Sequence, residues 1–186
     1  LLQATEDFVT LDLPIRQTGQ PATGSRLDIW GIRRHDVAYQ GGSYQEIAEY
    51  PLAGIDSVAA LDDYPWPTAD CFDYSAMAGK LAHLPADRAV RFLGFNPFET
   101  LCWLWGLEEV LCACATQPEL VVHGLEHITA FYEERLRRAL PLVAHAVDVV
   151  FFFDDLGGQH GSLLSPSMYR DLIKPFHQRL FSAARE

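Results

Sequence analysis

The sequence predicts an α/β protein built on a parallel sheet, and three stretches carry that reading. Residues 149–153 (Val149-Val150-Phe151-Phe152-Phe153) form an unbroken apolar run that ends in Asp154-Asp155-Leu156-Gly157-Gly158. A short run rich in β-branched and aromatic residues and bounded by glycine reads as a strand buried on both faces, as in parallel sheets covered by helices. Residues 89–95 (Ala89-Val90-Arg91-Phe92-Leu93-Gly94-Phe95) read as a second core strand, followed at once by the helix-starting Asn96-Pro97-Phe98-Glu99. Between the two lies a strongly amphipathic stretch, with Val121, Leu125, Ile128, Tyr132, Leu136, Ala139 and Val143 on one helical face. Strands alternating with helices imply parallel pairing through right-handed crossovers.

The other elements follow in chain order. Residues 8–13 alternate and read as a strand. Residues 14–25 form a loop containing Gly19, Pro21 and Gly24. Residues 27–33 with Ala38-Tyr39 suggest a hairpin arm punctuated by Gly41-Gly42. Residues 57–61 give a short helical turn, and Tyr64-Pro65-Trp66-Pro67 is extended, because a residue before proline is pushed out of the α region. Residues 70–84 are expected to be helical. Asn96 is a good N-cap, Pro97 suits the first helical position and Glu99 completes a capping-box-like start. One helix of about five turns should run from there toward Ala115. Gln117-Pro118-Glu119 starts the amphipathic helix, on which Glu133/Arg137 and Glu134/Arg138 are i,i+4 pairs. Ser165-Pro166 caps a last helix over residues 167–185.

Bulk properties bound the function. A chain of 186 residues is one domain with room for a sizeable core. Its apolar fraction of 49% and charged fraction of 21% are those of a soluble globular protein. A net charge of −11 argues against nonspecific binding to nucleic acid or to an anionic membrane. No apolar run approaches the ~18 residues of a membrane span. Leu1-Leu2-Gln3-Ala4-Thr5-Glu6-Asp7 lacks the regions of a signal peptide. Cys71, Cys102, Cys112 and Cys114 have no ladder-like spacing and are expected to be reduced, buried thiols of a cytoplasmic protein. The chain lacks an initiator Met and closes inside a helical pattern, so it is expected to be part of a longer protein.

Candidate chemistry gathers after the run at 149–153, because α/β folds place their sites at the carboxyl ends of strands. Asp154 and Asp155 are the catalytic candidates. They point to opposite faces if the strand continues, so at most one faces the site. A rim carboxylate orients substrate or works as general acid or base, whereas the structural alternative is an Asp that bonds the loop amides near Gly157 and Gly158. Gln159 and His160 share that loop and are candidate substrate contacts. Asn96 sits at the carboxyl end of the other strand, where capping alone would also explain it. Trp30, Trp66, Trp103 and Trp105 read first as packing residues. His123-Gly124-Leu125-Glu126-His127 matches the inverted zinc-peptidase signature. Its histidines lie opposite the apolar stripe and are expected to face solvent without a third ligand, so no metal site is assigned.

Asp154-Asp155-Leu156-Gly157-Gly158-Gln159, Leu164-Ser165-Pro166-Ser167-Met168-Tyr169-Arg170 and Ile173-Lys174-Pro175 resemble the uroporphyrinogen decarboxylase family. The resemblance is to the divergent branch that includes corrinoid-dependent methyltransferases. Asp28-x-Trp30-Gly31, Gly41-Gly42-x-Tyr44, Pro51-Leu52-Ala53 and Tyr64-x-Trp66-Pro67 agree in the same order. The resemblance implies a TIM-type (β/α)8 barrel. The family's barrel runs to roughly 340 residues, within the range such barrels span, so this chain would supply about half of it, the N-terminal part. It implies an enzyme acting on a small methylated substrate, with a corrinoid protein as partner. Porphyrinogen decarboxylation is the alternative, and a non-catalytic ligand-binding barrel a third reading. Trp103 falls where the family has a substrate-bonding tyrosine, and the decarboxylase's Phe-Asp-Ser-Trp-Ala-Gly is replaced by Phe153-Asp154-Asp155-Leu156-Gly157-Gly158. Both changes count against decarboxylation. No cofactor is implied within this chain. The branch's zinc ligands, a His-x-Cys and a later Cys, would lie beyond Glu186.

Overall fold

The structure, a computed structural model, describes residues 8–16 and 26–186. In chain order the elements are β1 (Phe8–Leu11), β2 (Arg26–Leu27), β3 (Arg33–Tyr39), β4 (Gly42–Glu49), α1 (Val58–Asp62), α2 (Met77–Leu81) and β5 (Ala89–Leu93). Then come α3 (Pro97–Trp105), α4 (Leu107–Thr116), α5 (Pro118–Val143), β6 (Val149–Phe151), a two-residue hairpin β7 (Gly157–Gly158) and β8 (Gly161–Ser162), α6 (Pro166–Met168) and α7 (Lys174–Ala183). The fold is mixed α/β, as the strand–helix order predicts, and no closed barrel forms among the described residues. The N-terminal residues 1–7 and most of the expected loop, residues 17–25, lie outside the described residues.

The three strands read from periodicity form one parallel sheet in the order β1-β5-β6. Its two faces differ. Leu11, Val90 and Phe92 are buried, and Phe152 packs edge-on against Phe181 of α7 at 4.5 Å. Phe95, just past β5, packs against Tyr132 of α5 at 4.7 Å. On the opposite face Val149 is 50% exposed, Phe8 41% and Phe151 39%. The guanidinium of Arg91 lies between the rings of Phe8 and Phe151, at 4.4 and 5.2 Å, and its Nε donates to Thr10 Oγ1 at 2.7 Å. The expectation that residues 149–153 are buried on both faces is therefore corrected. The strand is shorter, and alternate members of the run lie on a face with no helix over it among the described residues.

The second sheet, β2-β3-β4, is antiparallel; a hairpin does form here and turns at Gln40-Gly41 beside the expected glycines, but it pairs residues 33–39 with 42–49, and residues 28–32 of the expected arm are not strand. Its strand β4 was not expected. It is exposed along nearly its whole length, so no apolar alternation marks it. The arm is tied to the α layer where Leu52 N–H donates to Leu104 O at 2.9 Å. The helix expected over residues 70–84 shrinks to two 3-10 turns and α2. Arg16 N–H donates to Cys71 O and Asp73 N–H to Pro14 O, which bond this segment to the chain after β1 instead.

The helix expected from Asn96 to Ala115 is broken in two at Gly106, whose φ of +102° lies outside the range of L side chains. The long α5 forms as read, and every member of its apolar stripe is buried. Gly124 is part of that interface. A Cβ there would come within 2.9 Å of Leu101 of α3, so the small residue sets how closely α3 and α5 approach. Glu134 pairs with Arg138 as expected, at 2.7 Å, but Glu133 turns away from Arg137 and holds Arg179 of α7 at 2.8 Å. All four cysteines are free, but only Cys102 and Cys114 are buried; Cys112 is exposed.

Among the described residues the parallel sheet has one bare, aromatic face and an open β6 edge, and a sheet of that kind should self-associate. Residues 1–186 alone are expected to scatter light strongly, and Phe151→Glu to reduce that scattering. A monodisperse native monomer, unaffected by the substitution, would contradict this.

Candidate functional site

The carboxyl ends of the three parallel strands deliver Asp12, Asn96 and Asp154 to one end of the sheet. Asp154 caps α3 from outside its own sequence: Oδ2 accepts from Phe98 N at 3.0 Å and Oδ1 from Glu99 N at 2.8 Å. This fills the first-turn amides of α3 with a carboxylate at the positive end of its dipole. The Asp154 side chain is only 5% exposed, and His177 Nε2 of α7 completes its surroundings at 2.7 Å. A carboxylate only accepts, so Nε2 carries the hydrogen between them, and Nδ1 lies 3.3 Å from the Tyr169 hydroxyl. Tyr169 begins a single π turn, Tyr169–Ile173, which precedes Pro175. A proline has no N–H for a regular turn to use.

Asn96 stands at the N-cap position but makes no capping bond through its side chain. That corrects the capping-box expectation. Its Nδ2 donates to Glu99 Oε2 at 2.8 Å, while Oδ1 accepts from Tyr132 at 3.2 Å, and Tyr132 also bonds the Thr100 hydroxyl at 2.9 Å. Burial pushes the Tyr132 hydroxyl well above its ordinary range, so it stays a donor. Burial also raises the Glu99 carboxyl; the Asn96 amide opposes this, and the nearby Asp154 and Asp155 charges add to it. Glu99 thus holds its proton more tightly than an ordinary glutamate.

Arg135 of α5 reaches the same end from below. Its side chain is 5% exposed; Nη1 donates to Leu93 O at 2.9 Å, and Nη2 pairs with Asp12. The rings of Phe92, Phe72 and Phe95 stand 5.0, 5.2 and 5.5 Å from it.

Only some of the residues singled out from the sequence come together. Asp154, Asn96 and Glu99 come together. Asp155 is exposed and accepts from Gly157 N at 3.3 Å, so the two aspartates do diverge, as the alternation predicted. Gln159 and His160 occupy the exposed turn of the β7-β8 hairpin. Trp103 lies apart, with the Arg34 guanidinium of β3 over its ring at 5.3 Å. His123 and His127 lie at the surface, as expected, but are half-buried there. Both turn onto Asp62 of α1, while Glu126 pairs with Arg179 at 2.6 Å. Sequence reasoning missed Arg135, His177 and Asp62, which stand among other polar residues, and read Tyr132 only as part of the apolar stripe; the partner of each is remote in sequence. An open groove of about 400 Å³ runs between α5 and α7, lined by Glu133, Arg137, Pro175, Gln178 and Arg179. It includes none of the sheet-end residues.

Chemically, this end offers an exposed carboxylate (Asp155), a carboxyl whose proton affinity burial raises above the ordinary (Glu99), and an aspartate fully engaged in holding a helix (Asp154). Comparison with protein-family models, curated proteins and solved structures finds no match to the chain.

Two outcomes follow for stability. Asp154→Ala removes a cap and a charge-assisted bond and should cost about 3 kcal/mol in urea unfolding; a loss under about 1 kcal/mol would refute the cap. Glu99→Gln keeps an acceptor for Asn96 but cannot ionise. Because the folded-state value of Glu99 is raised, the stability it contributes is complete below the ordinary 4.5 and is lost as the pH rises through the raised value. The melting temperature of Glu99→Gln relative to the native protein should therefore climb from acid to neutral pH, and a pH-independent difference would count against the shift.

Proposed function

We propose that the chain forms part of a uroporphyrinogen-decarboxylase-like (β/α)8 barrel. We infer that it is an enzyme of that family, of the corrinoid-linked methyl-transferring kind, acting on a small methylated substrate. The observation that supports this reading most is the one-sided sheet. Among the described residues its parallel strands stand in sequence order, with packing helices on one face and a bare face carrying Phe8, Arg91 and Phe151. A doubly wound sheet reverses its strand order and has helices on both faces. A barrel adds strands in order and turns its uncovered face inward.

In a barrel the site lies at the carboxyl ends of the strands, where Asn96, Glu99, Asp154 and Asp155 gather. Asp155 faces outward and orients the substrate, and Glu99 holds or delivers a proton. Asp154 fixes the start of α3 so that Glu99 is placed. Gln159 and His160, at the hairpin turn, contact polar groups of the substrate, and the methyl acceptor is a corrinoid carried by a partner protein. The branch's zinc requires thiolates. The cysteine closest to this group of residues, Cys102, is buried, and burial holds its thiol protonated. The residues present therefore do not fit a thiolate-held metal, and no step is routed through one.

The test uses the full-length protein with methylated amines, thiols and alcohols and reduced cobalamin, followed by the visible spectrum, alongside incubation with uroporphyrinogen. Methylcobalamin should form, and Asp155→Asn should slow it by about 100-fold, the lower range for an acid–base or orienting group. Coproporphyrinogen as the product would replace this reading with decarboxylation. Ligand binding without turnover, unchanged by Asp154→Asn and Asp155→Asn, would leave a binding barrel.

A further inference from the structure

We propose that Asp62, His123 and His127 form a binding site for a divalent transition-metal ion, zinc foremost, separate from the sheet-end residues. The two histidines are one turn apart on α5 and present Nε2 to a single carboxylate oxygen, Asp62 Oδ1, at 2.7 and 3.3 Å. The three donor atoms lie within 4.8 Å of one another. Ligands bonded to tetrahedral zinc at about 2.0–2.1 Å stand about 3.4 Å apart, so the His127–Asp62 separation already matches and His123 need only open slightly. The metal would take the place of the hydrogens now shared between each imidazole and the carboxylate.

The ligands are held before any ion arrives. The His127 ring stacks on Trp66, 4.8 Å between centroids and 6° from parallel, and Trp66 Nε1 donates to Leu61 O beside Asp62 at 2.8 Å. His123 packs edge-on against His127 at 5.1 Å. Each side chain is 30–55% exposed, so an ion reaches the site from solvent without unfolding anything. Helix preference does not account for Asp62, since a carboxylate at the last residue of α1 opposes the helix dipole. Two imidazoles and a carboxylate suit zinc and its first-row neighbours, with a position left for water. Glu126, the would-be base of the peptidase signature, is held by Arg179, so the site acts as a clip between α1 and α5 and not as a hydrolytic centre.

Zinc titration of the intact, reduced protein by calorimetry should give one site, and zinc should raise the melting temperature. His123→Ala and Asp62→Asn should each weaken binding by more than about 100-fold, beyond the loss typical of an outer-shell partner, and abolish the thermal shift. Glu126→Gln should bind as the native protein does. Native and variant proteins should melt alike in chelator, which separates lost metal from lost fold. Absence of saturable binding, or binding that persists unchanged in a His123→Ala/His127→Ala double variant, would overturn the proposal and place any bound zinc on thiols such as Cys112.

Discussion

The guanidinium of Arg135 joins the helical layer to the end of the sheet. A charge this deeply buried costs several kcal/mol unless it is paired and hydrogen-bonded. Arg135 meets that cost with the Leu93 carbonyl, the last of β5, with the Asp12 carboxylate just past β1, and with the π faces of Phe72, Phe92 and Phe95. Asp12 in turn accepts the Leu13 amide, and its own carbonyl takes the ammonium of Lys80 on α2. One side chain thus sets the height of α5 against two strands and anchors a short helix beside them.

With α5 fixed, the remaining polar groups have little freedom. Tyr132, one turn before Leu136 on the buried stripe, meets Asn96 and Thr100, and so locates the start of α3. Asp154 arrives from β6 at the amides of that same helix start, and His177 from α7 seals it. The burial that makes this network rigid also raises the Glu99 carboxyl, so the packing that positions the group tunes its proton affinity as well. Asp155, one residue further along, escapes the network and keeps its carboxylate exposed. A buried and an exposed aspartate side by side is the natural outcome of a chain whose side chains alternate as it leaves a sheet.

The bare sheet face and the helix-covered face obey different rules. Where α5 and α7 pack, apolar stripes and a small residue at Gly124 decide the contacts. On the open face, Arg91 between Phe8 and Phe151 covers aromatic surface with its own stem and charge, which moderates an otherwise apolar patch. Parallel sheets are stable in soluble proteins when both faces are covered. Closing that face is the physical demand that a barrel interior would meet.

The sequence by itself determined the strands β1, β5 and β6, the start and buried stripe of α5, the Ser165 cap at the start of α6 and the divergence of Asp154 from Asp155. Each of these rests on local periodicity or on a cap within a few residues. It did not determine β4, whose exposed residues leave no alternation to read, and the break at Gly106 depends on a backbone angle adopted only in the folded chain. Tertiary structure alone decided the partners of the charged groups. Asp154 meets Glu99 across 55 residues, His123 meets Asp62 across 61, and Arg135 meets Asp12 across 123. A pattern in one stretch records which face is buried. Which remote charge waits on the other side of that burial is fixed only when the layers come together.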